Sequence, residues 1–348
     1  MGTRSLFSNA RQWVLAKFER PAGPPEPAIV VPDYLTFPLP NGKSYGLSIA
    51  PVDRDDYLTA IAASGGQDAA WRLLMNWIRP GEVMFDLGAN IGVFAIPATM
   101  LEAHVHAFEL LPTNIPHLVR AVERNGLKNL TIVQGALSDT NGFAGIGGIN
   151  AHGLMVPSAT LMIPTVVLDD YVRLRNVDRV DVMKIDIEGS ERAALAGAKN
   201  LIERDHPDIV IESNVWTCGT SGYSYRELLG ILIGYGYRLY RINNDVLCPY
   251  DHQKLQEVIV ADYFATARSD AELAERSVLR PGHLTDDDVI ANIEKEVAYS
   301  THHRQYALAV LPRLPATVSA APRMTALMAG VSSATDENIW HTLATGSA

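Results

Sequence analysis

The spacing of apolar positions changes several times along this chain, and each change marks an element. Over 34–50, apolar and polar residues alternate around Asn41-Gly42, which predicts a hairpin. Over 67–78 the spacing turns helical, with Trp71, Leu74, Met75 and Ile78 on one face, and Pro80-Gly81 closes it. From there short apolar runs alternate with helical stretches. Strands are predicted at 83–85, 104–108, 130–133, 180–185, 208–211, 237–242 and 257–264. Helices are predicted at 91–102, 113–125 and 190–203, and again from the capping box Ser224-Tyr225-Arg226-Glu227 to about residue 234. Short apolar strands separated by helices imply an α/β fold, a mostly parallel sheet with helices on both faces.

Three stretches fall outside that rhythm. Residues 1–20 fit an amphipathic helix carrying Phe7, Trp13, Val14 and Phe18, and Pro21, Pro24, Pro25 and Pro27 then read as a linker. Residues 139–163 lack periodicity and hold Gly142, Gly145, Gly147, Gly148 and Gly153, so 140–160 is expected to be a lid. Near the end, a helix capped at Thr285 should run to about residue 299, before a Ser/Ala/Thr-rich tail. Leu308, Val310, Leu311 and Leu314 are expected to pack on the main domain or to support a homo-oligomer. The expected division is an N-terminal extension over 1–32, one domain over 33–268, and a helical C-terminal extension over 269–348.

Composition narrows the partners. The chain has 348 residues and a formal net charge of -10. That surface repels nucleic-acid phosphates and anionic membranes, so neither is an expected partner. Two cysteines, Cys218 and Cys248, do not make a disulfide framework, and a reduced, cytoplasmic setting is expected. No apolar run approaches the ~20 residues of a membrane span. The first 20 residues lack a secretory apolar core, and Leu6 breaks the myristoylation pattern.

The chemistry starts at Asp86-Leu87-Gly88-Ala89-Asn90-Ile91-Gly92, between the predicted first strand and its helix. In open parallel sheets, ligands sit beyond the carboxyl ends of the strands. Gly88 allows a tight turn and a close backbone approach. The spacing is G-x-x-x-G, not the G-x-G-x-x-G of dinucleotide sites, and an acid at the strand end would repel a pyrophosphate but suit an amine. Glu109 ends the second strand, where a carboxylate can accept both hydroxyls of a ribose. Gly135 to Asp139 offers backbone and a small apolar surface to an adenine. Amine, ribose and adenine partners in that order describe S-adenosylmethionine.

Four segments resemble the FkbM family of methyltransferases: Phe85 to Gly92, Ala136-Leu137-Ser138-Asp139, Thr165 to Tyr171, and Lys184-Ile185-Asp186-Ile187-Glu188-Gly189-Ser190-Glu191. They occur in family order, over about residues 80–265. The resemblance implies a class I, Rossmann-like methyltransferase sheet of seven strands whose last two form an antiparallel pair. It implies methyl transfer to oxygen, often on a sugar, glycan or glycosylated natural product. It places the cofactor against Asp86, Gly88, Asn90, Gly92 and Glu109, with Leu110 over the ribose and Ala136 and Leu137 on the adenine side.

For the transfer itself, Asp186 ends the fourth strand beside the expected methyl position and is the first choice for orienting substrate or accepting a proton. Glu188 could share that role, although it and Glu191 also suit the N-terminus of the following helix. Glu212 ends the fifth strand and could line the same cleft. With Asp186 it could offer oxygen ligands to a divalent metal, which nothing else in the sequence supports. His152, in the Gly-rich stretch, is a further candidate base. Asp169-Asp170 reads as a helix start, and His302-His303 as surface. Two other readings stand beside methyl transfer: a related domain that binds S-adenosylmethionine without turnover, and a nicotinamide-dependent oxidoreductase.

Overall fold

The computed structural model describes residues 34–49, 67–149, 152–155, 161–244, 246–252, 260–276, 279–299, 316–319 and 321–324. The expected helix and linker over 1–32, His302-His303 and the apolar residues 308–314 lie outside them.

The predicted hairpin is β1 (Tyr34–Pro38) paired antiparallel with β2 (Ser44–Ser48). A helix, Ala69–Trp77, follows, and the carboxylate of Asp68 accepts from the Trp71 N–H at its start. The main sheet then begins with β3 (Val83–Leu87), β4 (His104–Glu109) and β5 (Leu130–Gln134). It continues with β10 (Val182–Ile185), β11 (Asp208–Asn214), β12 (Arg238–Asn243), β13 (Val246–Pro249), β14 (Val260–Thr266) and β15 (Arg280–Pro281).

The strand order is β15-β13-β12-β14-β11-β10-β3-β4-β5. The five strands from β11 to β5 run parallel, and β14 is antiparallel to both neighbours, β11 and β12. The chain moves outward from β3 to β5, then returns to lay β10 on the other side of β3. That reversal opens a crevice at the carboxyl ends of β3 and β10.

Among the described residues the sheet has nine strands where seven were expected. Asn244, at φ 50°, turns the chain after β12 so that β13 returns alongside it. β15, from beyond residue 268, then pairs parallel with β13.

Alternation along the central strands sends side chains to two cores. Phe85, Leu87, Met183, Ile185, Ile209 and Ile211 belong to one, joined by Val289, Ile290 and Ile293 of the helix Asp286–Tyr299. Met84, Val182, Val210 and Phe264 belong to the other, with Tyr45, Leu47, Trp71 and Trp77.

Three expectations need correction. The helix after β3 spans only Ala95–Met100, because Asn90 (φ 50°) and Gly92 (φ 97°) keep the preceding residues in a turn. The helix expected over 190–203 is two helices, Glu191–Ala196 and Lys199–Asp205. It breaks at Gly197, where a Cβ would lie 2.2 Å from the Ser138 carbonyl oxygen. Asp169 contributes to that break: it sits in the first turn of its own helix, Leu168–Arg175, yet its carboxylate accepts from the N–H groups of Asn200 and Leu201. Finally, the described residues of 139–163 are mostly strand. They contribute to β7 (Gly142–Ile149), β8 (His152–Met155) and β9 (Leu161–Val166), which with β6 (Ala136–Leu137) form a second sheet in the order β6-β9-β7-β8. Its glycines carry no side chains to display the alternation that marks a strand.

Candidate active site

At the end of β3 the chain turns through Gly88, at φ 89°. The N–H groups of Gly88 and Ala89 both donate to the Phe108 carbonyl, at 2.9 and 2.8 Å, tying this loop to β4. Glu109, one residue further along β4, completes the tie. Its Oε2 accepts from the Asn90 N–H at 2.6 Å, and its Oε1 accepts from the Leu111 N–H at 2.7 Å. Burial raises the Glu109 carboxyl above the usual range, and these N–H groups with Asn114 work against that rise.

The loop after β10 is held from beneath. Glu191 is buried; its Oε1 accepts from the N–H groups of Ile187 (3.2 Å) and Gly189 (3.1 Å), and its Oε2 accepts from the Tyr223 hydroxyl at 2.6 Å. The sequence pointed only to a helix-terminus role for Glu191. The bonded loop carries Glu188 at φ 51°, a conformation non-glycine residues seldom adopt. A Cβ on Gly189 would meet the Ser221 Oγ at 2.4 Å, so this loop also needs its glycine.

Between the two loops lies a cavity. Gly88, Asn90, Glu109, Leu110, Ala136, Leu137, Asp186, Glu188 and Glu212 all line it, so the structure brings together most of the residues singled out in sequence. Gly135, expected on the adenine side, lines it too; Phe108, Met155, Ile187 and Ser190 also line it and were not singled out for it. Met155 comes from β8, which the aperiodic sequence around it concealed.

Two cofactor candidates do not line the cavity. Asp86 lies within β3, not after it, and is only 1% exposed. Its pKa is pushed up to about 7, first by burial and then by the charges of Asp186 and Glu109, against the pull of Lys184 and the Ala95 N–H. Gly92 serves packing: a Cβ there would meet Ile96 at 2.6 Å and Leu118 at 2.8 Å. His152 lies in β8, but its side chain is outside the described structure.

Among the described residues, every charged side chain in the lining is acidic: Glu109, Asp186, Glu188 and Glu212. Burial, then the like charges of Asp186, Glu188 and Asp262, raise the Glu212 carboxyl well above its usual range. Such a wall suits a cationic ligand and opposes a pyrophosphate. Among the described residues, no group of three or more His, Cys, Asp and Glu side chains is arranged to hold a metal ion. None of the described helices is long and apolar enough to cross a membrane.

A sheet in this order, with its cavity at the carboxyl edge where the order reverses, is the Rossmann-like fold of class I methyltransferases. Residues 86–239 match the Methyltransferase FkbM domain. The hexuronic acid methyltransferase AglP of Haloferax volcanii is 29% identical over 142 residues, covering 40% of this chain and 59% of the relative. The 31-O-demethyl-FK506 methyltransferase FkbM of Streptomyces tacrolimicus is 30% identical over 169 residues, covering 35% of this chain and 62% of the relative. The chain thus spans about three fifths of the length of these curated relatives. A crystal structure of a methyltransferase FkbM from Methylobacillus flagellatus aligns over 61% of each chain at 18% identity, with a TM-score of 0.37.

Proposed function

We propose that this protein is an S-adenosylmethionine-dependent O-methyltransferase acting on a hydroxyl of a sugar, a glycan or a glycosylated natural product. The observation that carries this is the lining of the cavity. Glu109 stands at the end of β4, where a ribose would meet a carboxylate, and Leu110, Ala136 and Leu137 offer an apolar wall for an adenine. The remaining carboxylates, Asp186, Glu188 and Glu212, gather at the ends of β10 and β11, on the side left for a sulfonium and an acceptor hydroxyl. The names of the relatives point the same way: one acts on a hexuronic acid and the other on a 31-O-demethyl compound.

S-adenosylmethionine supplies a methyl group on a good leaving group, so the protein's share is alignment and proton removal. An acceptor hydroxyl beside Asp186 and Glu212 can hand its proton to a carboxylate as its oxygen takes the methyl carbon. Calorimetry with S-adenosylhomocysteine tests the reading. Binding to the wild type, with loss in Glu109→Ala, is expected. No binding of either sulfur compound would exclude it.

A further inference from the structure

The register of the central strands sets four charged residues side by side on one face of the sheet. Lys184 on β10 is opposite Asp86 on β3 and opposite Val210 on β11. Glu212 is two residues beyond Val210, so its side chain leaves the same face, and it is opposite Asp262 on β14. Asp86, Lys184, Glu212 and Asp262 therefore cross four adjacent strands as a row, with one cation among three acids. The Lys184 side chain is 4% exposed. Its Nζ lies 3.4 Å from Asp186 Oδ2 and 3.6 Å from Asp262 Oδ1. It also stands 5.3 Å from the centre of the Phe94 ring. Glu212, Asp86 and Asp68 are the other charges facing it.

Burial alone would discharge a lysine here. The surrounding carboxylates outweigh it and hold the ammonium as a cation. That cation is unevenly shared. It touches Asp186, which lines the cavity, and Asp262, but it makes no contact of salt-bridge length with Glu212. A carboxylate bound by an ammonium is fixed in direction and has an oxygen engaged by that bond. Both Asp186 and Glu212 line the cavity, and only Asp186 carries the bond.

We propose that Lys184 is a positioning residue of the transfer site: its ammonium fixes the Asp186 carboxylate at the cavity wall and leaves Glu212 as the group that takes the acceptor's proton. The proposal rests on the reading as a hydroxyl methyltransferase, but its test reads Glu212 directly. The carboxyl signal of Glu212, assigned by its absence in Glu212→Gln, is followed against pH by carbon NMR on protein labelled in its glutamates. Lys184→Met removes the cation, and the Glu212 midpoint is expected to rise by about one pH unit or more. Lys184→Arg keeps the charge and should leave the midpoint near that of the wild type. Asp262→Asn removes a like charge, and the midpoint should fall.

Lys184→Met strands buried acids, so a second variant guards against its failure to fold. The double variant Lys184→Met/Asp262→Asn then removes both members of the pair, and its midpoint must lie above that of Asp262→Asn alone. Midpoints that ignore Lys184, or that move the same way in the Lys184→Met and Asp262→Asn variants, overturn the proposal. Calorimetry with S-adenosylhomocysteine on the same samples judges the methyltransferase reading separately. If nothing binds, that reading fails while the Glu212 midpoints still report on Lys184.

Discussion

A Cβ on Gly88 would lie 1.9 Å from the carbonyl oxygen of Asp186. The loops after β3 and β10 thus meet backbone to backbone, at φ 89° for Gly88. Gly88→Ala must push these loops apart and adopt a strained conformation. A loss of about 3 kcal/mol in stability is expected, with at least tenfold weaker S-adenosylhomocysteine binding. Thermal melting and calorimetry check both, and an alanine variant with wild-type affinity would show that the contact does not shape the cavity.

Glu109 has two tasks, bonding the Asn90 and Leu111 N–H groups and lining the cavity. Glu109→Gln keeps one oxygen acceptor, whereas Glu109→Ala leaves the buried Leu111 N–H and the half-buried Asn90 N–H without it. The alanine variant should lose about 1–3 kcal/mol of stability for each stranded group, and the glutamine variant distinctly less. Both should bind S-adenosylhomocysteine more weakly, so equal affinity in all three proteins would remove Glu109 from the ribose side.

Asp86 makes stability depend on pH in an uncommon direction. Its pKa rises from 3.8 to about 7 on folding, so the folded state binds the proton more tightly than the unfolded one. Stability is therefore greatest below pH 4 as far as this group is concerned, falls as pH climbs towards 7, and stays lowered above it. Asp86→Asn abolishes that slope. Its stability relative to the wild type should rise between pH 4 and 7, by a few kcal/mol at most. Denaturant titrations at pH 5 and 8 read the difference, and a relative stability that falls with pH would contradict the burial argument.

Asp169 and Tyr223 form a contrasting pair. Asp169→Ala removes the cap on the helix Lys199–Asp205 and should cost about 1 kcal/mol without altering S-adenosylhomocysteine affinity. Tyr223→Phe removes the donor to Glu191 beneath the Glu188 loop, at a cost of about 1–3 kcal/mol, and should weaken that affinity as well. Melting curves with and without S-adenosylhomocysteine separate the two. Identical ligand-induced shifts would mean that the Tyr223–Glu191 bond does not support the cavity.

The central strands were legible because each is a short, mostly apolar run and the turns between them carry glycine or asparagine. The cavity residues were legible because their motif residues fall at strand ends, where topology gathers them. Less visible was whatever depends on contacts between distant segments. Gly197 breaks a helix because Ser138 passes close by, and no local pattern announces that approach. β7 was hidden by four glycines, two on each strand face, which leave no alternation to read. Asp86 looked like a strand end because the apolar run stops at Phe85, yet Leu87 still pairs with Phe108 and carries the strand past it. Lys184 stood inside a motif, but its place among acids depends on Asp262, which lies 78 positions further along the chain.

The acidic lining also bears on the end of the catalytic cycle proposed for this site. Methyl transfer from a sulfonium leaves a neutral thioether, so the spent compound lacks the charge that Glu109, Asp186, Glu188 and Glu212 attract. Such walls hold fresh donor in preference to its by-product, and the exchange of one for the other is driven by the same carboxylates that line the site.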